Sequence, residues 1–195
     1  MLQFYPRGTL RKYLKLHPHI DIRTRLKWCK QLVETVEFLH SKHVIHCDIC
    51  LHNVLLGDDL DIVLADFQGV VKSADGRTLL DGLMRECAKS FMPREDTEYA
   101  DVCTDLFALG SAIYYTIVGH EVFPELRSLG DEEEIGDRFQ NGIFPCDDYV
   151  ASNIVEKCWR GGYGVAAEIA ADLDVIEEIA QAAESEGNFG DYKPN

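Results

Sequence analysis

Between Asp21 and Lys42, apolar residues fall at Ile22, Leu26, Cys29, Val33 and Val36, at spacings of four, three, four and three that mark one face of a helix. Trp28, Leu32 and Leu39 widen that face, so the pattern predicts one long amphipathic helix. Two short β-branched and leucine-rich runs follow, Val54 to Leu56 and Ile62 to Leu64. The Gly57-Asp58-Asp59 turn between them predicts a small hairpin. From Val70 to Asp96 the periodicity fades and Gly76, Gly82 and Pro93 interrupt it, which predicts a long irregular segment. Helical spacing returns at Val102, Leu106, Leu109, Ile113 and Ile117, in a stretch so apolar that the helix should be buried nearly all round. Further helices fit roughly 149 to 159 and 166 to 183, before a polar tail over 186–195 that should fray. The plan is helix, hairpin, long loop and helical bundle, an α+β fold that is mainly α-helical.

With 195 residues and 46% hydrophobic content, the chain is long enough for one well-packed domain and short for two. Its formal charge of −15 is unevenly placed: residues 1–47 hold 9 Lys and Arg against 3 Asp and Glu, and the remainder holds 10 against 31. An acidic body repels phosphate backbones and anionic lipid, which argues against nucleic-acid or membrane binding. Seven scattered cysteines, an odd number, without a secretory signal read as reduced thiols, and no apolar run approaches the length of a bilayer span. These features predict a soluble, non-secreted protein of cytosol or nucleus.

The chemistry-bearing residues concentrate between the long helix and the hairpin, in His43-Val-Ile-His-Cys-Asp-Ile-Cys-Leu-His-Asn53. His46, Asp48 and Asn53 follow the spacing His-x-Asp with Asn five residues after the Asp, and Asp66-Phe67 comes thirteen residues past Asn53. Farther on stand Phe91-Met-Pro-Arg-Glu95, Asp105-Leu-Phe-Ala-Leu-Gly110 and Cys158-Trp-Arg160, and at the front Phe4-Tyr-Pro-Arg-Gly-Thr-Leu10. In this order the motifs resemble the large, C-terminal lobe of a eukaryotic-type protein kinase: hinge at 3–8, catalytic loop at 46–53, activation segment at 66–95, one domain over 1–185.

The resemblance implies ATP-dependent phosphoryl transfer to a protein hydroxyl, with Mg²⁺ as metal and a protein substrate as partner. Such transfer asks for a carboxylate to orient or deprotonate the acceptor and for oxygen ligands that hold the metal on the triphosphate. By the resemblance Asp48 is that carboxylate, Asn53 and Asp66 are Mg²⁺ ligands, and Asp105 holds the catalytic-loop backbone. Leu55 would lie beneath the adenine, the backbone of Gln3 and Tyr5 along its edge, and Thr9 by the ribose. His46 and Phe67 are structural by the same resemblance, and Glu95 with Arg160 would form a buried ion pair, although the one-residue irregularity around Pro93 and Arg94 leaves the choice of carboxylate open.

Departures from the pattern bear on activity. Cys47 stands where the family carries an arginine that receives an activation-segment phosphate, so switching by phosphorylation at Ser73, Thr78 or Ser90 is less expected. Cys50 and His52 stand where different kinase classes place a phosphate-contacting cation, and Gln68 replaces the glycine of Asp-Phe-Gly, with Gly69 one residue late. The glycine-rich loop and the paired lysine and glutamate that the family places upstream of the hinge do not occur in this sequence. Without that electrostatic stabilisation the chain alone is expected to have little or no kinase activity.

Two other readings stand beside this one. A degenerate, pseudokinase-like module would bind a partner without chemistry. Cys47, Cys50, His43, His46 and His52 are also zinc-ligand types, although a zinc site would leave Asp66 and Asp105 unexplained. Asp131 to Glu134 reads as a solvated helix start, with a docking patch for basic partners as the alternative.

Overall fold

A computed structural model describes residues 5–67, 69–83 and 86–185. Six helices, α1 (Leu10–Leu16), α2 (Ile22–Ser41), α3 (Val102–Val118), α4 (Glu132–Gln140), α5 (Ser152–Trp159) and α6 (Ala166–Ser185), alternate with five short strands. The strands are β1 (Val44–Ile45), β2 (Val54–Leu56), β3 (Ile62–Leu64), β4 (Val70–Lys72) and β5 (Thr78–Asp81). The architecture is α+β and mainly helical. Gln3, Gln68 and the 186–195 tail lie outside the described residues.

The long amphipathic helix runs where its pattern placed it. Asp21 caps its first turn by accepting from Thr24 N–H, and Lys42 closes it. Its apolar stripe packs on α3, whose residues Thr104 to Ile117 are all buried, and α3 in turn packs on α5. Gly110 makes the second contact close, because a Cβ there would stand 2.6 Å from the Cβ of Cys158. α6 completes the bundle against the other side of α2.

One charged side chain fastens two of these helices together. Arg25, buried on the stripe of α2, donates through Nη1 to the carbonyls of Thr116 (2.8 Å) and Ile117 (3.3 Å) in the last turn of α3. Its Nε and Nη2 donate to Ile20 and Pro18 carbonyls. Helix-end carbonyls have no partner within their own helix, and a guanidinium there supplies both donors and favourable charge.

Both β-hairpins serve to bring loop residues together. β2 and β3 pair antiparallel with Leu55 opposite Val63, and α2 anchors this hairpin through Gln31, which donates to Asp61 and accepts from Ile62 N–H. β1 pairs with β4, and β4 with β5, in a three-stranded antiparallel sheet. The segment from Val70 to Asp96 is therefore more ordered than its irregular pattern predicts: it holds a hairpin and a 3-10 turn at Ala88–Ser90. Thr78–Asp81 is exposed throughout, so it carries none of the alternation that marks a half-buried strand.

Candidate active site

β1 ends at Ile45 and β3 at Leu64, and the loops that leave them converge. His46 is buried, its Nε2–H donating to the Ala65 carbonyl (3.1 Å) while Nδ1 accepts Asp48 N–H (3.3 Å). The Asn53 carbonyl accepts Ala65 N–H at 2.8 Å, a second tie between the two loops. Gly69 closes a third contact, since any Cβ there would fall 2.0 Å from the Ile45 carbonyl oxygen and 2.5 Å from that of His46. The glycine one residue late in Asp-Phe-Gln-Gly is thus the one that lets this strand approach the loop.

Within the loop, Asp48 and Asn53 are bound to each other. The Asn53 amide donates to the Asp48 carboxylate (2.7 Å) and to its carbonyl (2.9 Å). Asn53 thereby spends its nitrogen internally and keeps Oδ1. Asp66 is exposed and sits at φ +69°, a left-handed conformation that a non-glycine residue holds only where its surroundings dictate it. Phe67 stacks edge-on against the His46 ring, centroids 5.3 Å apart, yet leaves 55% of its surface exposed.

Beneath the loop lies Asp105, wholly buried near the start of α3. Its carboxylate accepts His46 N–H (2.8 Å), Cys47 N–H (2.9 Å) and His40 Nε2–H (2.9 Å). Cys47 has φ +66°, so the loop reverses sharply at the residue Asp105 grips. Its side chain packs into a small cluster with Ile45, Val70 and Ala100, and Sγ donates to the Ile45 carbonyl. Cysteine fits that apolar pocket as a small hydrophobe.

The N-terminal stretch lies along β2. Leu56 N–H donates to the Gly8 carbonyl at 3.0 Å, and Thr9 bridges to Leu55. Thr9 also caps α1, accepting from Lys12 N–H. Val54 and Leu56 are buried, so Leu55 and its partner Val63 show the opposite, half-open face of the hairpin.

On the other side of the loop is a cavity of about 110 Å³ lined by Cys50, His52, Cys87 and an ion cluster. In that cluster Glu121 accepts from Arg11 (2.6 Å) and from the buried Lys89 (3.1 Å). Burial opposes ionisation of Glu121, but the bonds from Arg11 and Lys89 outweigh it and hold the carboxyl below its ordinary range. Burial, reinforced by the charge of Asp48, pushes the Cys50 thiol up to about 12. His52, partly shielded and next to Arg11, titrates below its ordinary value. At neutral pH both side chains are uncharged.

A protein kinase domain model matches residues 1–159. The chain belongs to the protein kinase family. Its kinase relatives include a serine/threonine-protein kinase PDK1 of Cryptococcus neoformans, 30% identical over 131 residues, 63% of this chain and 10% of that protein. An Aurora kinase of Schizosaccharomyces pombe is 33% identical over 129 residues, 65% of this chain and 35% of that kinase. A dual serine/threonine and tyrosine protein kinase of Gallus gallus is 26% identical over 154 residues, 76% of this chain and 16% of that one. The chain spans between about a tenth and a third of the length of these kinases.

In this chain the expected pair of Glu95 with Arg160 does not form. α5 buries Ile154, Val155, Cys158 and Trp159, which turns Arg160 to solvent, where it bonds Glu156 (2.8 Å) and covers the Phe144 ring. Glu95 is exposed. The buried ion pair of this region is Glu86 with Arg94 at 2.9 Å, the guanidinium lying over Phe91. Arg94 takes the inward position there, its side chain nearly buried. Nor do the cysteines and histidines gather: among the described residues no three His, Cys, Asp or Glu side chains are placed to hold a metal ion. Among the same residues, no helix is long and apolar enough to cross a membrane.

Proposed function

We propose that the 46–53 loop and Asp66 form the acceptor and metal side of an ATP-dependent phosphotransferase site acting on protein hydroxyls. The clamp of Asn53 on Asp48 carries the reading. It fixes the carboxylate through Oδ2 and leaves Oδ1 to orient an acceptor hydroxyl and take its proton. As that proton leaves, the acceptor oxygen bonds the γ-phosphorus and the bond to the bridging oxygen breaks, so ADP departs.

Asn53 Oδ1 and the exposed Asp66 carboxylate are hard oxygen donors of the kind Mg²⁺ takes, and few protein ligands suffice because phosphates and water complete its shell. When bound, Mg²⁺ neutralises charge on the transferring group. Leu55 and Val63 offer an apolar floor for the adenine, the Tyr5 backbone its edge, and Thr9, whose hydroxyl proton is not used by its cap, a ribose contact.

The test is transfer of labelled γ-phosphate from ATP to protein, measured on the protein purified from its native source. Transfer should require Mg²⁺ and fall at least about 100-fold in Asp48→Asn. Equal transfer by the variant would remove the reading. Residues 1–195 on their own should transfer little, since this stretch holds none of the phosphate-binding donors the family places before the hinge.

A second reading, a partner-binding module without catalysis, draws support from Cys47, Cys50 and His52. One is packed inside and two are uncharged, so this loop places no cation beside Asp48. Absence of Mg²⁺-dependent nucleotide binding would favour it.

A further inference from the structure

Two cysteines from different segments, Cys50 of the 46–53 loop and Cys87 at the start of the 3-10 turn, line the same cavity of about 110 Å³. Each begins a tight turn: Asn53 N–H donates to the Cys50 carbonyl (3.0 Å) and Ser90 N–H to that of Cys87 (2.8 Å). The two turns are fastened to each other around the cavity. Arg11 donates its backbone N–H to the Leu51 carbonyl (3.2 Å) and its guanidinium to Glu121, which also accepts from Lys89, two residues past Cys87. Lys89 is held further by the Phe123 carbonyl (3.1 Å). Both thiols are thereby kept on one cavity, which raises the effective concentration of each at the other.

A second observation is electrostatic. Burial pushes both thiols up, and charge adds to it: Asp48 opposes the ionisation of both, and Cys87 opposes that of Cys50. Charge acts between such side chains only at short range. The other cysteines are placed differently. Cys29, Cys47 and Cys158 are packed inside, and Cys103 and Cys146 are exposed on α3 and before α5.

We infer that Cys50 and Cys87 form a reversible disulfide site, oxidised by a low-molecular-weight disulfide of the glutathione type, that bolts the 46–53 loop to the 3-10 turn. Cys87, which shows surface to solvent, gives up its proton, and its sulfur attacks one sulfur of the oxidant. A mixed disulfide forms, the oxidant's S–S bond breaks and one small thiolate leaves. Cys50 then loses its proton, its sulfur attacks that of Cys87, and the second small thiolate departs. The two protein thiols lose two electrons, the oxidant gains them, and the two protons end on the two small thiolates. A raised thiol is slow to become a thiolate but is also a poor leaving group, so the bridge should form slowly and persist once made. It spans the cavity on the acceptor side of Asp48; slower phosphate transfer in the oxidised form rests on the phosphotransferase reading, and the bridge itself does not.

The experiment incubates the full chain with glutathione disulfide, blocks remaining thiols with iodoacetamide, digests with trypsin without reductant and maps the products by mass spectrometry. The expected product joins the peptide of residues 43–72 to that of residues 86–89, and dithiothreitol separates them. Cys50→Ser and Cys87→Ser should each abolish it, whereas Cys103→Ser/Cys146→Ser should leave it intact. The 43–72 peptide also carries Cys47, so a joined product that persists in Cys50→Ser would overturn the inference. A Cys47–Cys50 bridge, or glutathione adducts alone, would overturn it as well. Phosphate transfer should fall at least about tenfold in the bridged protein and return with dithiothreitol. Unchanged transfer would overturn the effect on catalysis, while the peptide map decides the bridge.

Discussion

Asp105 holds His46 by its backbone N–H at 2.8 Å and, with its other oxygen, Cys47 at 2.9 Å. The buried carboxylate thus sets the backbone from which Asp48 projects, and three donors fall to it alone. Removing it strands those donors out of water, so Asp105→Ala should cost about 3 kcal/mol of stability, measured by urea denaturation. Asp105→Asn keeps the volume but turns an amide nitrogen toward N–H donors, and should recover only part of that loss.

Arg25 caps the end of α3 from inside α2, and its removal leaves the Thr116 and Ile117 carbonyls without that partner. Arg25→Ala should destabilise the fold by about 2–3 kcal/mol. Arg25→Lys should not restore it, because one ammonium cannot reproduce the guanidinium's bonds to four carbonyls. Equal melting temperatures for wild type and Arg25→Ala would refute the capping role.

Glu121 joins α1 to the 3-10 turn through Arg11 and Lys89. Its carboxyl is held below the ordinary range, so the stability it adds is complete above about pH 5 and disappears as pH falls through its lowered folded value. The melting-temperature gap between wild type and Glu121→Gln should be constant above pH 5 and narrow on acidification. A gap that widens on acidification would contradict the sign.

Much of this was legible in the residues. The stripe from Ile22 to Val36 between a capping Asp21 and Lys42 gave α2, and the two short runs about Gly57 gave the β2–β3 hairpin, because local spacing and turn chemistry alone decide such elements. β5 was hidden because all four of its residues are exposed and its pairing with β4 depends on a turn far from any core contact. The role of Arg25 is not legible in local spacing, since its carbonyl partners in α3 lie some ninety residues away along the chain. Of the candidate site, His46, Asp48, Asn53 and Asp105 stood out only through the resemblance of their motifs, and the Glu86–Arg94 pair did not, for the inward side chain is decided by how the loop after the 3-10 turn folds back.

The proposed phosphotransferase site requires Asn53 and Asp66 to receive a metal-bound nucleotide beside Asp48. It is tested most directly by ¹⁵N NMR of residues 1–195 with paramagnetic Mn²⁺ and millimolar ADP. Broadening that requires ADP should centre on the amides of Asn53, Ala65 and Asp66 and vanish in Asp66→Ala. ADP-dependent broadening centred elsewhere, or persisting in Asp66→Ala, would contradict the account.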